Sequence, residues 1–326
     1  MKKSSIILLC TAFACIIIGI CFCSAAIGVA GGDISNFYTE EQYVQKTVEF
    51  SQDEVTSLVF TDVSFDVQVI PSVDSMLHIT YYENDKIYYS FDNVDSTLTV
   101  KYHSNAKWYD FIGIRINPQD TTVIIAVPTG FENISLQTTS GDIYLDGTGE
   151  LSILKIKSTS GAVSVRSAST VWLDIHTTSG DIELESLTAK NTDISSTSGD
   201  VETENFSSNV LEISTMSGDI SAKRAKISEK LLVSTTSGNI NISANAPAGT
   251  VMCEAVSGNI TLALHSCESA KLTSTSGNIK MFIDAAEDYS ITTSTVSGSV
   301  RVPASAHGEK EIYVKTTSGN INIVEN

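Results

Sequence analysis

The sequence predicts an all-β protein: a single-stranded parallel β-solenoid (β-helix) with rungs of 19–21 residues, preceded by one N-terminal transmembrane helix. A motif of the form T-[ST]-S-G-[DN]-[IV], with close variants, recurs ten times at that spacing. Apolar residues alternate on both sides of each motif, and no later stretch shows a sustained 3.6-residue apolar period. Because so short a repeat cannot bury an apolar face alone, the repeats must stack on one another.

Each repeat is described by counting positions from its glycine. The ten glycines are Gly141, Gly161, Gly180, Gly199, Gly218, Gly238, Gly258, Gly277, Gly298 and Gly319. Serine always precedes the glycine, position +2 is always Ile or Val, and position −5 is apolar in nine repeats, with Thr293 as the exception. This pattern predicts two short half-buried strands flanking a corner. We expect glycine at the corner because the backbone angle there is one that other residues avoid.

A degenerate rung precedes the clear repeats, with Phe65 in the place of the glycine. The residues that match positions −7, −5, +2 and +4 are Leu58, Phe60, Val67 and Val69. Since Phe65 and Gly141 lie 76 residues apart, close to four repeats, we expect residues 77–130 to supply the rungs between them. The strands predicted in this segment lie near Leu77–Tyr82, Leu98–Tyr102 and Thr122–Val127.

Aromatic residues cluster in the same region, whereas the later repeats are poor in them. The cluster consists of Tyr81, Tyr82, Tyr88, Tyr89, Tyr102, Trp108, Tyr109 and Phe111. We expect these residues to cap the N-terminal end of the solenoid, because terminal repeats are usually atypical. An exposed aromatic platform is the alternative.

An uncharged, mostly apolar run from Ile6 to Ala30 follows Lys2 and Lys3. As a helix it is long enough to cross the ~30 Å hydrocarbon core of a membrane. Lysines before the run and acidic residues after it predict a single-pass protein of the cell membrane, with a cytoplasmic N-terminus and an extracellular C-terminal domain. A cleaved signal peptide is the alternative, because small residues near Ala26 would suit a cleavage site.

The predicted organisation has five segments. They are a cytoplasmic N-terminus (1–5), a transmembrane signal-anchor (6–30), a juxtamembrane linker and N-terminal cap (31–57), degenerate solenoid rungs (58–130) and the regular repeat solenoid (131–326). Four of the six cysteines lie in the apolar run, where they serve as small apolar residues. Cys253 falls at the core position −5 and Cys267 lies between repeats, so the pattern leaves a disulfide between them open.

Composition and motifs argue against several classes of function. A net charge of −18 and a pI near 4.5 argue against binding to nucleic acid or to anionic lipid headgroups. The four arginines and five histidines share no repeat position and no metal-ligand spacing, and no hydrolase, zinc-protease, Walker or dinucleotide signature is present. We therefore predict no catalytic residue, no cofactor site and no enzymatic activity.

Position +1 carries the one repeated polar pattern with potential chemistry. Its residues are Asp142, Ala162, Asp181, Asp200, Asp219, Asn239, Asn259, Asn278, Ser299 and Asn320. In a stacked solenoid Asp181, Asp200 and Asp219 would form a column of carboxylates about 4.8 Å apart, which repel one another. We interpret these residues as turn formers, with amide ladders along the later asparagines. Ca²⁺ bound by the three aspartates is the alternative, and they are the only metal candidates.

Together with the segment Val63–Val69 and the stretch Lys107-Trp108-Tyr109-Asp110, these repeats resemble the putative adhesin family of bacterial β-strand repeat proteins. This family is a domain of unknown function that includes LiaG-like envelope proteins, and the resemblance runs from about Leu58 to the end of the sequence. It implies a right-handed β-solenoid displayed outside a Gram-positive cell, with a part in adhesion or envelope-stress sensing. The family has no agreed catalytic or binding residues, so no residue roles are transferred.

The predicted function is that of a membrane-anchored, non-enzymatic surface protein whose partner is a cell-envelope protein or glycan. A polysaccharide-processing β-helix enzyme is the alternative, although a glycosidase needs two opposed carboxylates and here the carboxylates repeat at one position. The last repeat closes at Ile321-Asn322-Ile323 with little sequence after it. We therefore expect the C-terminal rung to form an uncovered end that binds a second copy end to end or a strand of a partner.

Overall fold

The computed structural model describes residues 42–106, 121–245, 248–284, 288–303 and 308–325, together with residue 19 and two short strands at 38–40 and 114–116. Within this part of the chain, no helix has the length and apolar character that crossing a membrane requires. The predicted anchor at residues 6–30, apart from Gly19, lies outside the described residues, as do Trp108, Tyr109 and Phe111.

The described part of the chain contains 28 β-strands. In chain order they are β1 (Tyr38–Glu40), β2 (Val44–Ser51), β3 (Ser57–Thr61), β4 (Val67–Pro71), β5 (Met76–Glu83), β6 (Ile87–Val94), β7 (Thr97–Ser104), β8 (Ile114–Ile116), β9 (Val123–Val127), β10 (Asn133–Thr138), β11 (Ile143–Asp146), β12 (Glu150–Ser158), β13 (Val163–Arg166), β14 (Ser169–Thr177), β15 (Ile182–Glu185), β16 (Thr188–Ser196), β17 (Val201–Glu204), β18 (Ser207–Thr215), β19 (Ile220–Thr235), β20 (Ile240–Ala244), β21 (Ala248–Ser257), β22 (Ile260–Leu264), β23 (Cys267–Ser276), β24 (Ile279–Ile283), β25 (Tyr289–Ser297), β26 (Val300–Arg301), β27 (Lys310–Ser318) and β28 (Ile321–Glu325).

The chain divides into two compact units. One comprises Met1–Val44 and Ser104–Asp120, and its described strands β1 and β8 pair in parallel. The other comprises Gln45–His103 and Thr121–Asn326 and contains the solenoid.

The solenoid consists of two parallel sheets joined at the Ser-Gly corner of each rung. Sheet I holds the strands before the corner, namely β3, β7, β10, β12, β14, β16, β18, the last part of β19, β21, β23, β25 and β27. Sheet II holds the strands after it, namely β4, β9, β11, β13, β15, β17, the first part of β19, β20, β22, β24, β26 and β28. Equivalent residues pair in register: Ile156 with Ile175, and Ile175 with Ile194. The predicted parallel β-solenoid is confirmed.

The apolar positions of each rung fill the space between the two sheets. In the rung of Gly180 these residues are Leu173, Ile175, Ile182 and Leu184, all at most 1% exposed. Burial of each such side chain stabilises the fold by roughly 1.5–3 kcal/mol. The period-2 pattern on both sides of the corner therefore builds one continuous core along the solenoid axis.

The motif glycines stack in a column, each against the main chain of the adjacent rung. A Cβ atom on Gly199 would lie 2.1 Å from the carbonyl oxygen of Gly180, and one on Gly161 would lie 1.9 Å from that of Gly141. Of the ten motif glycines only Gly298 has a positive φ. The expectation of a special backbone angle at the corner is therefore wrong, and glycine is required because the rungs approach too closely for any side chain.

The first rung stacks directly on the first regular repeat. Leu58 pairs with Ile134, and a Cβ on Gly141 would lie 1.9 Å from the carbonyl oxygen of Phe65. The placement of Phe65 in the glycine column is therefore confirmed. The expectation that residues 77–130 form rungs between Phe65 and Gly141 is wrong.

Strands β7 and β9 of this segment instead extend the solenoid on the other side of the first rung. Strand β7 pairs with β3 and β9 pairs with β4, while β5 adds to β9 in antiparallel orientation. The three predicted strands of this segment correspond to β5, β7 and β9. The 76-residue separation of Phe65 and Gly141 does not determine the stacking order, because the next strands can pair with either edge of the first rung.

Tyr89 lies at the centre of an aromatic cap at this end. Its ring centroid is 6.0 Å from that of Phe60, 5.2 Å from that of Tyr81 and 5.8 Å from that of Tyr102. Its hydroxyl donates a hydrogen bond to Asp62, which is only 1% exposed. These described members of the aromatic cluster pack against the first rung, as expected of a cap.

The last two rungs are stacked in the opposite order to their order in the chain. Strand β27 pairs with β23 on one side and β25 on the other, and β28 lies in the same way between β24 and β26. The rung of Gly319 is therefore internal, and Ile323 is 3% exposed. The expectation that this rung forms the uncovered end is wrong; among the described strands, β25 and β26 of the Gly298 rung occupy it. Thr293, the exception at position −5, belongs to that terminal rung.

Both cysteines of the solenoid are buried, and neither forms a disulfide. Cys253 is fully buried at the core position −5, as predicted, and burial raises the pKa of its thiol to about 12. Cys267 is 2% exposed on β23. The solenoid is thus held by packing and strand pairing, and no disulfide joins these two residues.

Candidate interaction surfaces

Position +1 forms a hydrogen-bonded ladder at the corner of the solenoid. Asp181 Oδ1 accepts the backbone N–H of Asp200 at 2.8 Å, and Asp200 Oδ1 accepts that of Asp219 at 2.7 Å. Asp219 Oδ1 in turn accepts the N–H of Asn239 at 2.6 Å. These amides lie outside the strand pairing, so the side-chain oxygens satisfy donors that would otherwise lack a protein partner. The role of Asp and Asn is therefore to join adjacent rungs, which is more specific than turn formation.

The later asparagines add the predicted amide ladder. Asn259 Nδ2 donates to Asn239 Oδ1 at 3.3 Å, Asn278 Nδ2 donates to Asn259 Oδ1 at 3.3 Å, and Asn320 Nδ2 donates to Asn278 Oδ1 at 3.1 Å. The last of these bonds joins residues 42 positions apart, because the rung of Gly319 stacks directly on that of Gly277.

Asp181, Asp200 and Asp219 contribute one carboxylate per rung, and one oxygen of each accepts a backbone N–H. Within the described part of the chain, no group of three or more His, Cys, Asp or Glu side chains is arranged to hold a metal ion. Calcium binding by this column stays a prediction. A melting temperature that rises in millimolar calcium relative to chelator would support it.

One rung interrupts the ladder and opens a groove. All ten backbone N–H groups at position +1 are described, and nine of them donate to a side-chain oxygen of the adjacent rung. The exception is the N–H of Asp181, because Ala162 on the adjacent rung has no side-chain oxygen. Ala162 and Ser164 form the floor, and the longer residues Tyr144 and Glu183 of the two neighbouring rungs flank Ser164 in register. This Ala162 groove, formed by Tyr144, Ala162, Ser164, Asp181 and Glu183, is part of a larger surface depression of about 570 Å³ that also reaches Gln68, Thr122 and Arg166.

The charged groups around the Ala162 groove already have protein partners. Arg166 lies 3.6 Å from Glu183 and 3.4 Å from Glu185. Tyr144 is 45% exposed, and its hydroxyl donates to Asp142 Oδ2 at 3.1 Å. Partial burial and the Asp142 carboxylate raise the pKa of Tyr144, so its hydroxyl stays protonated at neutral pH. The groove therefore presents a fixed aromatic ring beside hydrogen-bonding groups.

A second candidate surface lies on the outer face of sheet I. Ile153, Val171 and Trp172 are 44%, 50% and 45% exposed, and Ile153 pairs with Trp172 on the adjacent rung. Clusters of exposed apolar side chains on soluble domains commonly mark interaction sites, and tryptophan is enriched at the energetic centres of such sites. We call these three residues the Trp172 patch.

Polar side chains from three rungs meet beside the Trp172 patch. Lys155 Nζ and His176 Nε2 both contact the carboxylate of Asp174, the histidine at 2.7 Å, and His176 Nδ1 contacts Ser195 Oγ. The five histidines share no repeat position, so the repeat pattern did not reveal this cluster. The signal was available: Lys155 and Asp174, like His176 and Ser195, are 19 residues apart, which is one rung.

The parallel rungs, the glycine column and the +1 ladder define a repeat protein of the β-solenoid class. The chain belongs to the Toastrack DUF4097 family, whose model matches residues 55–265 and 245–324. This confirms the family resemblance of the repeats. No curated protein matches the chain.

Three solved structures illustrate what the chain is similar to. A putative lipid binding protein from Parabacteroides distasonis shares 17% identity over 88% of this chain and 100% of that one, with a TM-score of 0.47. A putative adhesin from Parabacteroides merdae shares 15% identity over 89% and 99% of the two chains, with a TM-score of 0.43. A putative cell adhesion protein from Clostridium sporogenes shares 10% identity over 87% and 100%, with a TM-score of 0.31.

Proposed function

We propose that this chain is a non-enzymatic interaction protein of the bacterial cell surface, of the adhesin type, that binds its partner through the outer face of sheet I. The observation that carries this proposal is the Trp172 patch. Folding leaves Ile153 and Trp172, which pair on adjacent rungs, and Val171, which precedes Trp172 in the chain, 44–50% exposed. Their burial would contribute about 25 cal/mol per Å² only when a partner covers them.

The polar cluster next to the patch suits the rim of such an interface. Asp174 is 8% exposed and is held by Lys155 and His176, so these groups are positioned before a partner arrives. Preorganised polar groups around an apolar centre lower the entropic cost of association. The arrangement therefore combines an apolar centre with an ordered polar border.

The test compares binding of the purified full-length chain and its variants to isolated envelope fractions. Trp172→Ser is expected to weaken binding at least tenfold, which corresponds to about 1.4 kcal/mol. The matched control is Tyr313→Ser, since Tyr313 is 38% exposed on the same sheet in another rung. Equal binding by the Trp172 variant and wild type would contradict the proposal.

The finer part of the proposal concerns location and role. We place residues 6–30 in the cell membrane as a retained anchor, with the solenoid outside, on the basis of their uncharged length and the preceding Lys2 and Lys3. Resistance to alkaline extraction, together with an intact N-terminal mass, checks the anchor against a cleaved signal peptide. Loss of attachment on gene deletion would favour adhesion, and an altered envelope-stress response would favour sensing.

The alternative function, a polysaccharide-processing enzyme, is favoured by one observation. Ser195, His176 and Asp174 are in contact in the order nucleophile, base and acid. However, Ser195 contacts Nδ1 of the histidine and Asp174 contacts Nε2, which is the reverse of the arrangement in serine hydrolases. The three residues also lie within strands whose backbone N–H groups pair with adjacent rungs and so do not form an oxyanion site. Hydrolysis of cell-wall glycans or esters that disappears in Ser195→Ala would support the enzyme.

A further inference from the structure

The Ala162 groove arises because one rung carries short residues where its neighbours carry long ones. Its two flanking rungs lie roughly 10 Å apart, twice the spacing between strands. Asp142 and Tyr144 stand on one side, Asp181 and Glu183 on the other, and Ala162 and Ser164 lie between them. The surface depression that contains the groove has a volume of about 570 Å³, within the range of small-ligand sites, about 300–1,000 Å³.

The chemistry of the groove restricts its occupant. The backbone N–H of Asp181 has no side-chain acceptor from the rung beneath, so a fitting ligand must offer an acceptor oxygen, which a simple cation lacks. An anionic ligand would meet repulsion from several carboxylates. Those carboxylates belong to Asp142, Asp146, Asp181 and Glu183. Arg166 also lines the depression and is already paired with Glu183 and Glu185, so a charged ligand of either sign would meet a group of its own sign there. The groove thus favours an uncharged molecule with many hydroxyl groups, which both donate and accept hydrogen bonds.

The exposed ring of Tyr144 supplies the apolar contact that such a molecule needs. Its hydroxyl donates a hydrogen bond to Asp142, which restrains the partly exposed ring where it lines the groove. The C–H face of a pyranose ring can pack on an aromatic face, while its hydroxyls bond to carboxylate oxygens through strong charge-assisted hydrogen bonds. We propose that the Ala162 groove binds one segment of a neutral glycan chain, as a binding site on sheet II separate from the Trp172 patch.

The test measures binding of the full-length chain to an array of neutral, cationic and anionic oligosaccharides. The array includes the β-1,4-linked N-acetylglucosamine tetramer, its deacetylated cationic form and an oligogalacturonate of equal length. Ala162→Asp restores at this rung the residue type found in its neighbours, so it should fold while filling the groove and satisfying the Asp181 N–H. Tyr144→Ser removes the aromatic wall, and Ser299→Asp is the matched control because it adds a carboxylate at the same repeat position elsewhere.

We expect binding to at least one neutral glycan, a loss of at least tenfold in Ala162→Asp and in Tyr144→Ser, and wild-type binding in Ser299→Asp. The melting temperature of Ala162→Asp should be unchanged or higher. Absence of binding to every neutral glycan, equal binding by Ala162→Asp, or a preference for the cationic or anionic chains would each overturn the inference. Trp172→Ser should leave glycan binding unchanged, so failure here and failure of the proposed function are distinguishable.

Discussion

The two ends of the solenoid protect their apolar core in different ways. At the N-terminal end, the rings of Phe60, Tyr81 and Tyr102 surround Tyr89 with centroid distances of 5.2–6.0 Å. At the other end, the terminal rung in the described part places half-buried Ile291 and Thr293 over the last internal rung. An end can therefore be protected by adding a large apolar cap or by making the last rung less apolar.

This difference predicts unequal sensitivity to truncation of core side chains. Tyr89→Ala should lower the free energy of unfolding by about 4 kcal/mol, because it empties the centre of the aromatic cap and leaves Asp62 without its hydroxyl partner. Ile291→Ala, at the terminal rung, should cost about 1 kcal/mol, since its side chain is only partly buried. Denaturant unfolding of both variants checks the order, and equal losses would contradict the comparison.

Replacing a glycine in the middle of the glycine column should lower the free energy of unfolding more than replacing one at its end. Gly199→Val forces a Cβ to within 2.1 Å of a carbonyl oxygen, so we expect the free energy of unfolding to fall by about 3 kcal/mol. Gly298→Val creates a similar clash against Gly319, but the terminal rung can separate locally at lower cost. Hydrogen exchange should show local opening in the Gly298 variant and global destabilisation in the Gly199 variant. The same pattern in both would indicate that the two positions are equivalent.

The N-terminal cap should also respond to pH. Burial raises the pKa of Asp62, so the folded state binds its proton more tightly than the unfolded state does, where the pKa is near 3.8. The stability contributed by this proton is present below the unfolded pKa and is lost as pH rises through the folded pKa. Asp62→Asn should remove that loss, as measured by unfolding at several pH values. Asp288→Asn, at an exposed residue near the other end, is the control and should keep the wild-type slope.

End-to-end self-association, if it occurs, should use the terminal rung of Gly298 and spare the capped end. We propose that the terminal rung formed by β25 and β26, which pair with β27 and β28 on their inner side, binds a second copy. Thr293→Lys places a charge on the terminal layer and should abolish concentration-dependent sedimentation of the full-length chain. Asn241→Lys, on an exposed side face, should not. A wild-type chain that stays monomeric at high micromolar concentration would contradict this proposal.

Substitutions in the +1 ladder, between the two ends, should have the smallest effect on stability. Asp200→Asn keeps the oxygen that accepts the Asp219 N–H and removes one charge from the column, so stability should be unchanged or slightly higher. Asp200→Ala leaves that N–H without its acceptor and should cost about 1 kcal/mol. Thermal melts of both variants separate the two cases. A loss in Asp200→Asn as large as that in Asp200→Ala would indicate that the charge itself matters.

Periodicity predicted the solenoid but not the stacking order at its ends. Ile156, Ile175 and Ile194 repeat at one rung length, and their spacing alone gave the register. The spacing does not give the stacking order of the rungs, because successive repeats have nearly the same shape and each can stack on either side of another. The polar Thr293 was the one indication that the Gly298 rung is terminal.

Side-chain clusters on the faces were harder to predict than the core, for a geometric reason. The core positions recur in every rung, whereas Asp174, His176 and Ser195 occur once and meet only when the chain is wrapped at its period. The sequence shows Ala162 as an exception at position +1. The groove also depends on position +3, where the short Ser164 lies beside the long Tyr144 of the adjacent rung. A sequence reveals such a site only after the register of neighbouring rungs is known.

The exchanged order of the last two rungs has a consequence for biosynthesis. As the ribosome extends the chain, each new rung from β10 to β24 can stack on a rung that has already been made. Strand β25 cannot reach its final place in this way, because its partner in the finished protein, β27, has not yet been translated. The segment 288–303 must therefore wait undocked, or settle on β23 and later be displaced by the segment that follows it. By either route, the Gly298 rung reaches its final place only after the segment that follows it in the chain has docked on β23 and β24. At this end of the solenoid the order of assembly therefore differs from the order of synthesis.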